Sequence, residues 1–156
     1  MHEKVGVLVM ELRLIAENKK RFLPLLLLGD EQESMIDAYL EQGALYVLYD
    51  GKTVCGVIVV TREDENLWEI KNMAVVPHLQ RQGYGRFMIE QIRVRYACPG
   101  AVLQVGTGET PSTLNFYQAC GFHISYRIPD FFLQYNHLIY EDGVLLRDMI
   151  YLQQNL

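Results

Sequence analysis

Residues 72–86 read N-M-A-V-V-P-H-L-Q-R-Q-G-Y-G-R, and they indicate the fold more clearly than any other stretch. The apolar run to Val76 predicts the end of a strand, the next six residues a loop, and Gly83-Tyr84-Gly85 the start of a helix. Glycines there let a ligand approach the backbone, and the free N–H groups of a helix start attract anions. Because Arg81 and Arg86 add positive charge, the segment predicts a phosphate or pyrophosphate site, the alternative being an unliganded helix start.

Two well-known phosphate motifs do not fit this segment. The Walker loop needs G-x-x-x-x-G-K-[ST], which is absent, and Met88 occupies the place of the third glycine in a Rossmann fingerprint. A nucleotide-phosphate-binding module is therefore the weaker of the possible interpretations.

The segment before this stretch is rich in β-branched and aromatic residues and predicts three strands. Asp50-Gly51 is a strong hairpin signal between the first two, and a polar turn over Arg62–Asn66 precedes the third. We therefore expect an antiparallel meander. The predicted strands are Ala44–Tyr49, Thr53–Thr61 and Leu67–Val76.

The remaining elements are predicted from periodicity and from capping residues. Thr110 as N-cap, Pro111 at the first helical position and Gly121 beyond the end indicate a short helix. The other predicted helices are Asp30–Gln42 and Gly83–Ala97, and the other predicted strands are Val5–Leu14, Ala101–Val105, Phe122–Arg127 and Val144–Leu152, with residues 15–30 irregular or weakly helical.

The order of these elements predicts the fold class. A helix lies between Leu67–Val76 and Ala101–Val105, and such a crossover makes the two strands parallel. The class is then α/β (α+β): a mixed, mostly antiparallel twisted sheet of six to seven strands, flanked by about four helices. With 156 residues, the chain is predicted to form a single domain over residues 1–156.

Two motifs carry a resemblance to a known family. Gln80–Gly85 resembles the Q/R-x-x-G-x-G/A signature of the GNAT superfamily of N-acetyltransferases, and Leu114–Phe122 is similar to its L-Y-x-x-x-G-F motif. The resemblance spans roughly residues 44–127. It implies a GNAT-like fold and direct transfer of the acetyl group of acetyl-CoA, a cosubstrate, to a primary amine of a small molecule or peptide. The alternative is a non-catalytic acyl-CoA-binding or sensing protein.

The resemblance also implies which residues bind the cosubstrate. The loop would bind the pyrophosphate, and the strand end would pair with the pantetheine arm, with a backbone N–H near Val75 stabilising the oxyanion. Asn115 either binds the pantetheine or faces solvent. The implied cofactor-binding residues are Met73, Ala74, Val75, Gln80, Arg81, Gln82, Gly83, Tyr84, Gly85, Arg86 and Asn115.

Glu69 is a candidate general base on two grounds. Strand alternation places it on one face of a mid-sheet strand, where a carboxylate needs a partner, a proton or a wet cleft. Such an environment suits a base, and Glu69 matches the position where some GNAT enzymes carry theirs. The alternative is a Glu paired with Lys or Arg at the sheet surface.

Tyr117 is the second candidate catalytic residue. By resemblance it lies near the CoA sulfur and acts as general acid toward the departing thiolate; the alternative is a core tyrosine on a short helix. Cys120 invites a covalent mechanism, but no histidine occupies a motif-like position to activate it, and direct transfer needs no enzyme nucleophile.

The amino-acid composition limits which kinds of partner the protein is expected to have. Fourteen Lys and Arg against nineteen Asp and Glu give a net charge of −5, which argues against nucleic acid. The three cysteines and four histidines show no metal-ligand spacing, so no metal is expected, and reduced thiols are the simplest interpretation. No stretch reaches the ~20 apolar residues of a membrane span, and no signal peptide is recognised, which favours the cytoplasm. Base rates favour a homodimer.

The amine acceptor is not identified by these motifs. Its contacts are expected in residues 15–43 and 128–143, the second of which is rich in aromatic residues. Asp130, Tyr135 and His137 are candidates to contact a cationic amine, since aromatic faces bind cations. A dimer contact or a satellite of the core is the alternative for this segment.

Overall fold

The computed structural model describes residues 10–156, which form a seven-stranded mixed sheet in the order β1-β2-β3-β4-β5-β9-β6 and a two-stranded sheet, β7-β8. The strands are β1 Met10–Ile15, β2 Ala44–Asp50, β3 Thr53–Asp64, β4 Leu67–Val75, β5 Val102–Gly108, β6 His123–Ile128, β7 Tyr140–Glu141, β8 Val144–Leu145 and β9 Met149–Asn155. The α-helices are α1 Leu23–Gly29, α2 Glu33–Asp37, α3 Tyr84–Tyr96 and α4 Pro111–Ala119. Short 3-10 helices cover Lys19–Phe22, Pro77–Leu79 and Phe131–Gln134. The predicted fold class and the predicted meander are confirmed.

The chain divides into two compact units. The first contains the described residues up to Thr61 together with Lys71–Arg95, and the second contains Arg62–Ile70 together with Tyr96–Leu156. The single domain predicted over residues 1–156 remains a prediction.

The first unit is built on the β2–β3 hairpin. The turn residue Gly51 has φ 61°, a left-handed conformation in which glycine is unstrained, as the Asp50-Gly51 signal predicts. Leu45 pairs with Val59 and Val47 with Val57, and these four side chains are fully buried. They join a core that comprises Ile15, Phe22, Leu26, Ile36, Tyr39, Leu40, Leu45, Val47, Val57, Val59 and Ala74.

The N-terminal elements differ from those predicted. The strand predicted over Val5–Leu14 is β1, Met10–Ile15, and residues 5–9 lie outside the described part of the chain. The helix predicted over Asp30–Gln42 is wrong in length, since α2 covers Glu33–Asp37 and tight turns follow it to Gly43. Of the four apolar residues at helical spacing in this segment, Ile36, Tyr39 and Leu40 are nevertheless buried, and Met35 is half-buried. Tertiary burial therefore accounts for their spacing without a continuous helix.

The second unit confirms the parallel crossover and the capped helix. β5 pairs parallel to β4 from Leu67–Val102 to Ile70–Val105, and antiparallel to β9. Thr110 caps α4 by accepting a hydrogen bond from the backbone N–H of Thr113 at 3.4 Å.

One strand prediction in this unit is wrong. The strand predicted over Val144–Leu152 is broken into β8, Val144–Leu145, and β9, Met149–Asn155. Between them, the Asp148 carboxylate accepts hydrogen bonds from Arg127 at 2.7 Å and from the Asp130 backbone at 2.8 Å. These charged contacts of Asp148 interrupt the apolar run.

No helix within residues 10–156 is long and apolar enough to cross a bilayer.

Gly29, at the end of α1, packs directly on β4, and this contact leads to a stability prediction. A Cβ added there would lie 2.1 Å from Asn72 Oδ1 and 2.9 Å from the Met73 carbonyl oxygen. The buried Asn72 amide donates to the Leu26 carbonyl at 2.9 Å and would be displaced. We expect Gly29→Ala to lower the free energy of unfolding by about 2 kcal/mol in urea denaturation.

The neighbouring residue supplies the control for this measurement. Leu28 belongs to the same helix, and its side chain is exposed. Leu28→Ala should change stability by less than ~0.5 kcal/mol. Equal stability of Gly29→Ala and the unsubstituted protein would contradict the close packing of α1 on β4.

Candidate active site

The loop between β4 and α3 has the backbone of an anion site. A 3-10 turn over Pro77–Leu79 is followed by Arg81 with φ 63° and Gly83 with φ 92°. A left-handed conformation costs a non-glycine residue about 1 kcal/mol, so Arg81 is held in a strained geometry of the kind found at ligand sites. The two positive φ values turn the chain sharply into α3.

Side chains of the loop hold this geometry. Gln80 Nε2 donates to the Val75 carbonyl at 3.1 Å, and Gln82 Nε2 donates to the His78 carbonyl at 3.2 Å. The pKa of the Tyr84 phenol is raised by burial and by the nearby Cys55 and Asp50. The Tyr84 side chain is half-buried, and these two residues belong to β3 and β2.

The start of α3 presents unpaired backbone donors. The first hydrogen bond across this helix start joins the Phe87 N–H to the Gly83 carbonyl at 3.0 Å. The N–H groups of Tyr84, Gly85 and Arg86 precede it and have no partner within the helix. Arg81 and Arg86 are exposed beside them. Donors, helix dipole and guanidinium charge all favour a phosphate group here.

The end of β4 carries the three strand residues of the predicted site. Ala74 is buried in the core, and Met73 and Val75 are half-buried. The register with β5 covers the residues from Leu67 to Ile70, whereas β4 continues to Val75. The Val76 N–H donates to the Cys55 carbonyl of β3 at 2.9 Å, which fixes the strand end on its β3 side.

Glu69 lies in a buried polar row of the second unit. Only 4% of the residue is exposed, and both oxygens of its carboxylate accept hydrogen bonds from neutral donors. Gln104 Nε2 donates to Oε1 at 2.5 Å, and the Tyr151 hydroxyl donates to Oε2 at 3.3 Å. Gln104 is the direct cross-strand partner of Glu69 on β5. A buried carboxylate held in this way can accept a proton from a nearby ammonium group.

Tyr117 is buried on α4, and Asn115 is exposed on the same helix. The Tyr117 ring packs edge-on against Phe116 and Phe122, at centroid distances of 5.1 and 5.8 Å. No hydrogen bond joins its hydroxyl to another described residue. Burial, with Cys120 and Glu141 nearby, raises the pKa of the Tyr117 phenol, so the group stays protonated and able to donate.

The cysteines and the acidic groups point to no other chemistry. Cys55, Cys98 and Cys120 are free thiols, and Cys120 is buried, as expected for an inert thiol. Within the part of the chain that the structure describes, no three His, Cys, Asp or Glu residues are grouped so as to hold a metal ion.

Comparison with known proteins decides the family. The acetyltransferase (GNAT) domain family matches residues 41–124, more than half of the chain. This protein belongs to the GNAT family. The N-acetyltransferase YvbK of Bacillus subtilis strain 168 is 34% identical over 143 residues, which is 90% of this chain and 92% of the relative.

Solved GNAT structures show the same fold. An acetyltransferase of B. subtilis in complex with CoA has 34% identity and a TM-score of 0.82, over 94% of this chain and 99% of that one. A GNAT acetyltransferase of Elizabethkingia anophelis with acetyl-CoA bound has 30% identity and a TM-score of 0.87, over 95% and 99% of the two chains. The chain is therefore an acyltransferase with a GNAT-like open mixed sheet.

Three residues around Glu69 were missed by the motifs of the GNAT family and by residue patterns. Gln104 and Gly106 belong to β5 and Tyr151 to β9. Gln104 and Tyr151 hydrogen-bond Glu69, and Gly106 is the cross-strand partner of Tyr151, so their placement depends on the register of strands distant in sequence. The strand predicted over Ala101–Val105 stopped one residue before Gly106. A glycine directly after an apolar strand is the signal that could have identified it, because it often marks a close approach.

Proposed function

We propose that this GNAT protein transfers the acetyl group of acetyl-CoA directly to a primary amine of a small molecule or peptide. The observation that carries the proposal is the loop before α3, where two left-handed residues, Arg81 and Gly83, precede a helix start whose first N–H groups have no partner within the helix. Relatives at 30% and 34% identity have acetyl-CoA and CoA bound, which supports the same cosubstrate here.

The cosubstrate would be bound by backbone more than by side chains. The N–H groups of Gln82–Arg86 would bind the pyrophosphate, with Arg81 and Arg86 adding charge and Gln80 holding the loop against Val75. The pantetheine would pair with the backbone of Met73–Val75 as an added strand. Asn115, which is exposed on α4, would hydrogen-bond the pantetheine arm.

The reaction would be a direct attack by a neutral amine on the acetyl carbonyl. Glu69, directly or through water, would take the proton from the amine. A backbone N–H near Val75 would stabilise the oxyanion. As the C–S bond breaks, the Tyr117 hydroxyl would give its proton to the CoA sulfur, which leaves as a thiol.

The proposed acceptor site involves a segment rich in aromatic residues. Residues 128–143 hold an aromatic cluster in which the rings of Phe131, Phe132 and Tyr135 lie 5.2 to 6.3 Å apart. We propose that this segment, with Asp130, Tyr135 and His137, contributes to acceptor binding. A cytoplasmic homodimer is proposed from the sequence and from base rates.

Titration calorimetry tests the proposal at its first step. Acetyl-CoA should bind with a Kd in the micromolar range, roughly −8 kcal/mol, and ATP should give no comparable heat. Arg86→Gln should weaken acetyl-CoA binding about tenfold, because it removes one charged contact to phosphate. Arg147→Gln changes the net charge equally, on an exposed residue paired with Asp130, and should leave this Kd unchanged.

A turnover assay distinguishes an acetyltransferase from a non-catalytic acyl-CoA-binding or sensing protein. Free CoA thiol should appear when acetyl-CoA is mixed with one or more members of a panel of polyamines, aminoglycosides, amino acids and peptides with free N-termini. Acetyl-CoA binding without thiol release for any amine would favour a non-catalytic acyl-CoA-binding or sensing protein. Failure of acetyl-CoA to bind would contradict both.

A further inference from the structure

We propose that Tyr151 is a positioning residue for Glu69: it reaches across β5 at Gly106 and donates its hydroxyl proton to the Glu69 carboxylate. The inference rests on the proposed role of Glu69 as the general base. It adds a residue that neither family motif contains, because Tyr151 lies on β9, beyond the matched residues 41–124.

Each oxygen of the Glu69 carboxylate accepts a hydrogen bond from a different strand. Gln104 donates to Oε1 from the next strand, and Tyr151 donates to Oε2 from the strand beyond. A carboxylate held at both oxygens cannot rotate about its last torsion without losing a bond. The lone pairs that would receive the proton of the amine are therefore fixed in direction.

The orientation of the Gln104 amide is set by a third residue. Gln153 Nε2 donates to Gln104 Oε1 at 2.9 Å, so the Gln104 amide must present its N–H group to Glu69. Gln153 is the cross-strand partner of Gln104 on β9. One oxygen of the carboxylate is therefore held by a pair of amides, and the other accepts the Tyr151 phenol.

The absence of a side chain at Gly106 allows the Tyr151 phenol to reach Glu69. It is the cross-strand partner of Tyr151, and a Cβ at this position would lie 3.0 Å from Tyr151 Cζ and 2.7 Å from Met149 Sδ. The ring thus lies over a residue that has no side chain. Tyr126 stacks on its other side, with centroids 4.7 Å apart and planes 10° from parallel, and holds the ring in place.

The chemistry of Tyr151 suits a permanent donor. Burial, followed by the charge of Glu69 and the presence of Tyr126 and Glu63, raises the pKa of the Tyr151 phenol. The hydroxyl therefore keeps its proton when Glu69 is ionised and also after Glu69 has accepted a proton. Tyr151 itself transfers nothing. Its effect is to stabilise the ionised, correctly directed form of the base.

The test compares Tyr151→Phe and Gly106→Ala with Tyr49→Phe in the full chain. Tyr49→Phe removes a hydroxyl from a half-buried tyrosine of β2, outside the polar row and outside the segments proposed to bind acetyl-CoA or the acceptor. The first readout is kcat with the amine found in the panel, measured beside the KM for acetyl-CoA. In both test variants kcat should fall about tenfold while the KM for acetyl-CoA stays unchanged, because the base loses the donor that directs one of its oxygens.

The second readout is the double variant Tyr151→Phe/Glu69→Gln. Its kcat should equal that of Glu69→Gln alone, because a residue that acts through Glu69 has no further effect once the base is removed. Tyr49→Phe should match the unsubstituted protein in kcat. An unchanged kcat in Tyr151→Phe would overturn the inference, as would a double variant slower than Glu69→Gln or full activity of Glu69→Gln. None of these results bears on acetyl-CoA binding, whose failure in calorimetry would count against the proposed function instead.

Discussion

Glu69→Gln is expected to lower kcat by about 10²–10³-fold, the range associated with loss of a general base. The substitution keeps the size and shape of a side chain that is 4% exposed, and its amide oxygen can still accept the Gln104 proton. Folding should therefore be preserved. What is lost is the ability to take a proton from the attacking amine, so the Kd for acetyl-CoA should not change.

The control for this prediction is Glu65→Gln, which makes the same chemical change in the exposed turn between β3 and β4. It should retain full activity. Rate should recover partly at high pH in Glu69→Gln, because an amine already deprotonated in solution needs no base. A kcat close to that of the unsubstituted protein at neutral pH would remove Glu69 from the mechanism and leave it a buried structural carboxylate.

Local signals explain why much of the fold could be predicted. The Asp50-Gly51 turn, the Thr110 cap and the glycines at residues 83 and 85 each act within a few residues. The hairpin turn, the start of α4 and the start of α3 lie within one residue of their predicted places. The prediction failed where tertiary contacts outweigh local preference, as at α2, and where a charge such as Asp148 interrupts an apolar run.

The candidate site likewise has a part that could be predicted from the sequence and a part that could not. The phosphate loop is contiguous in sequence, so its residues could all be named from one motif. The surroundings of Glu69 come from three strands, and its partners Gln104 and Tyr151 are 35 and 82 residues away. Nothing in a single sequence reports which strands become neighbours or in what register. The burial of Glu69 could be anticipated, but its partners could not.

Tyr117→Phe is expected to lower kcat by about 10–100-fold without changing stability. The ring contacts with Phe116 and Phe122 are kept, and loss of the hydroxyl strands no partner, since no described residue is hydrogen-bonded to it. Such a deletion should cost less than ~0.5 kcal/mol of folding free energy. A fall in rate with an unchanged urea midpoint would then point to chemistry at the departing sulfur.

The raised pKa of Tyr117 determines how kcat should depend on pH in this variant. The Tyr117 pKa is raised by burial, Cys120 and Glu141, so the phenol keeps its proton throughout the usual assay range, and the unsubstituted protein should show no alkaline loss of kcat from this group. Tyr117→Phe should therefore lower the whole profile without moving its limbs. If the decrease appears only above neutral pH, the proton that reaches the sulfur comes from a group other than Tyr117. If kcat does not fall at any pH, Tyr117 is a packing residue and the thiolate leaves unassisted.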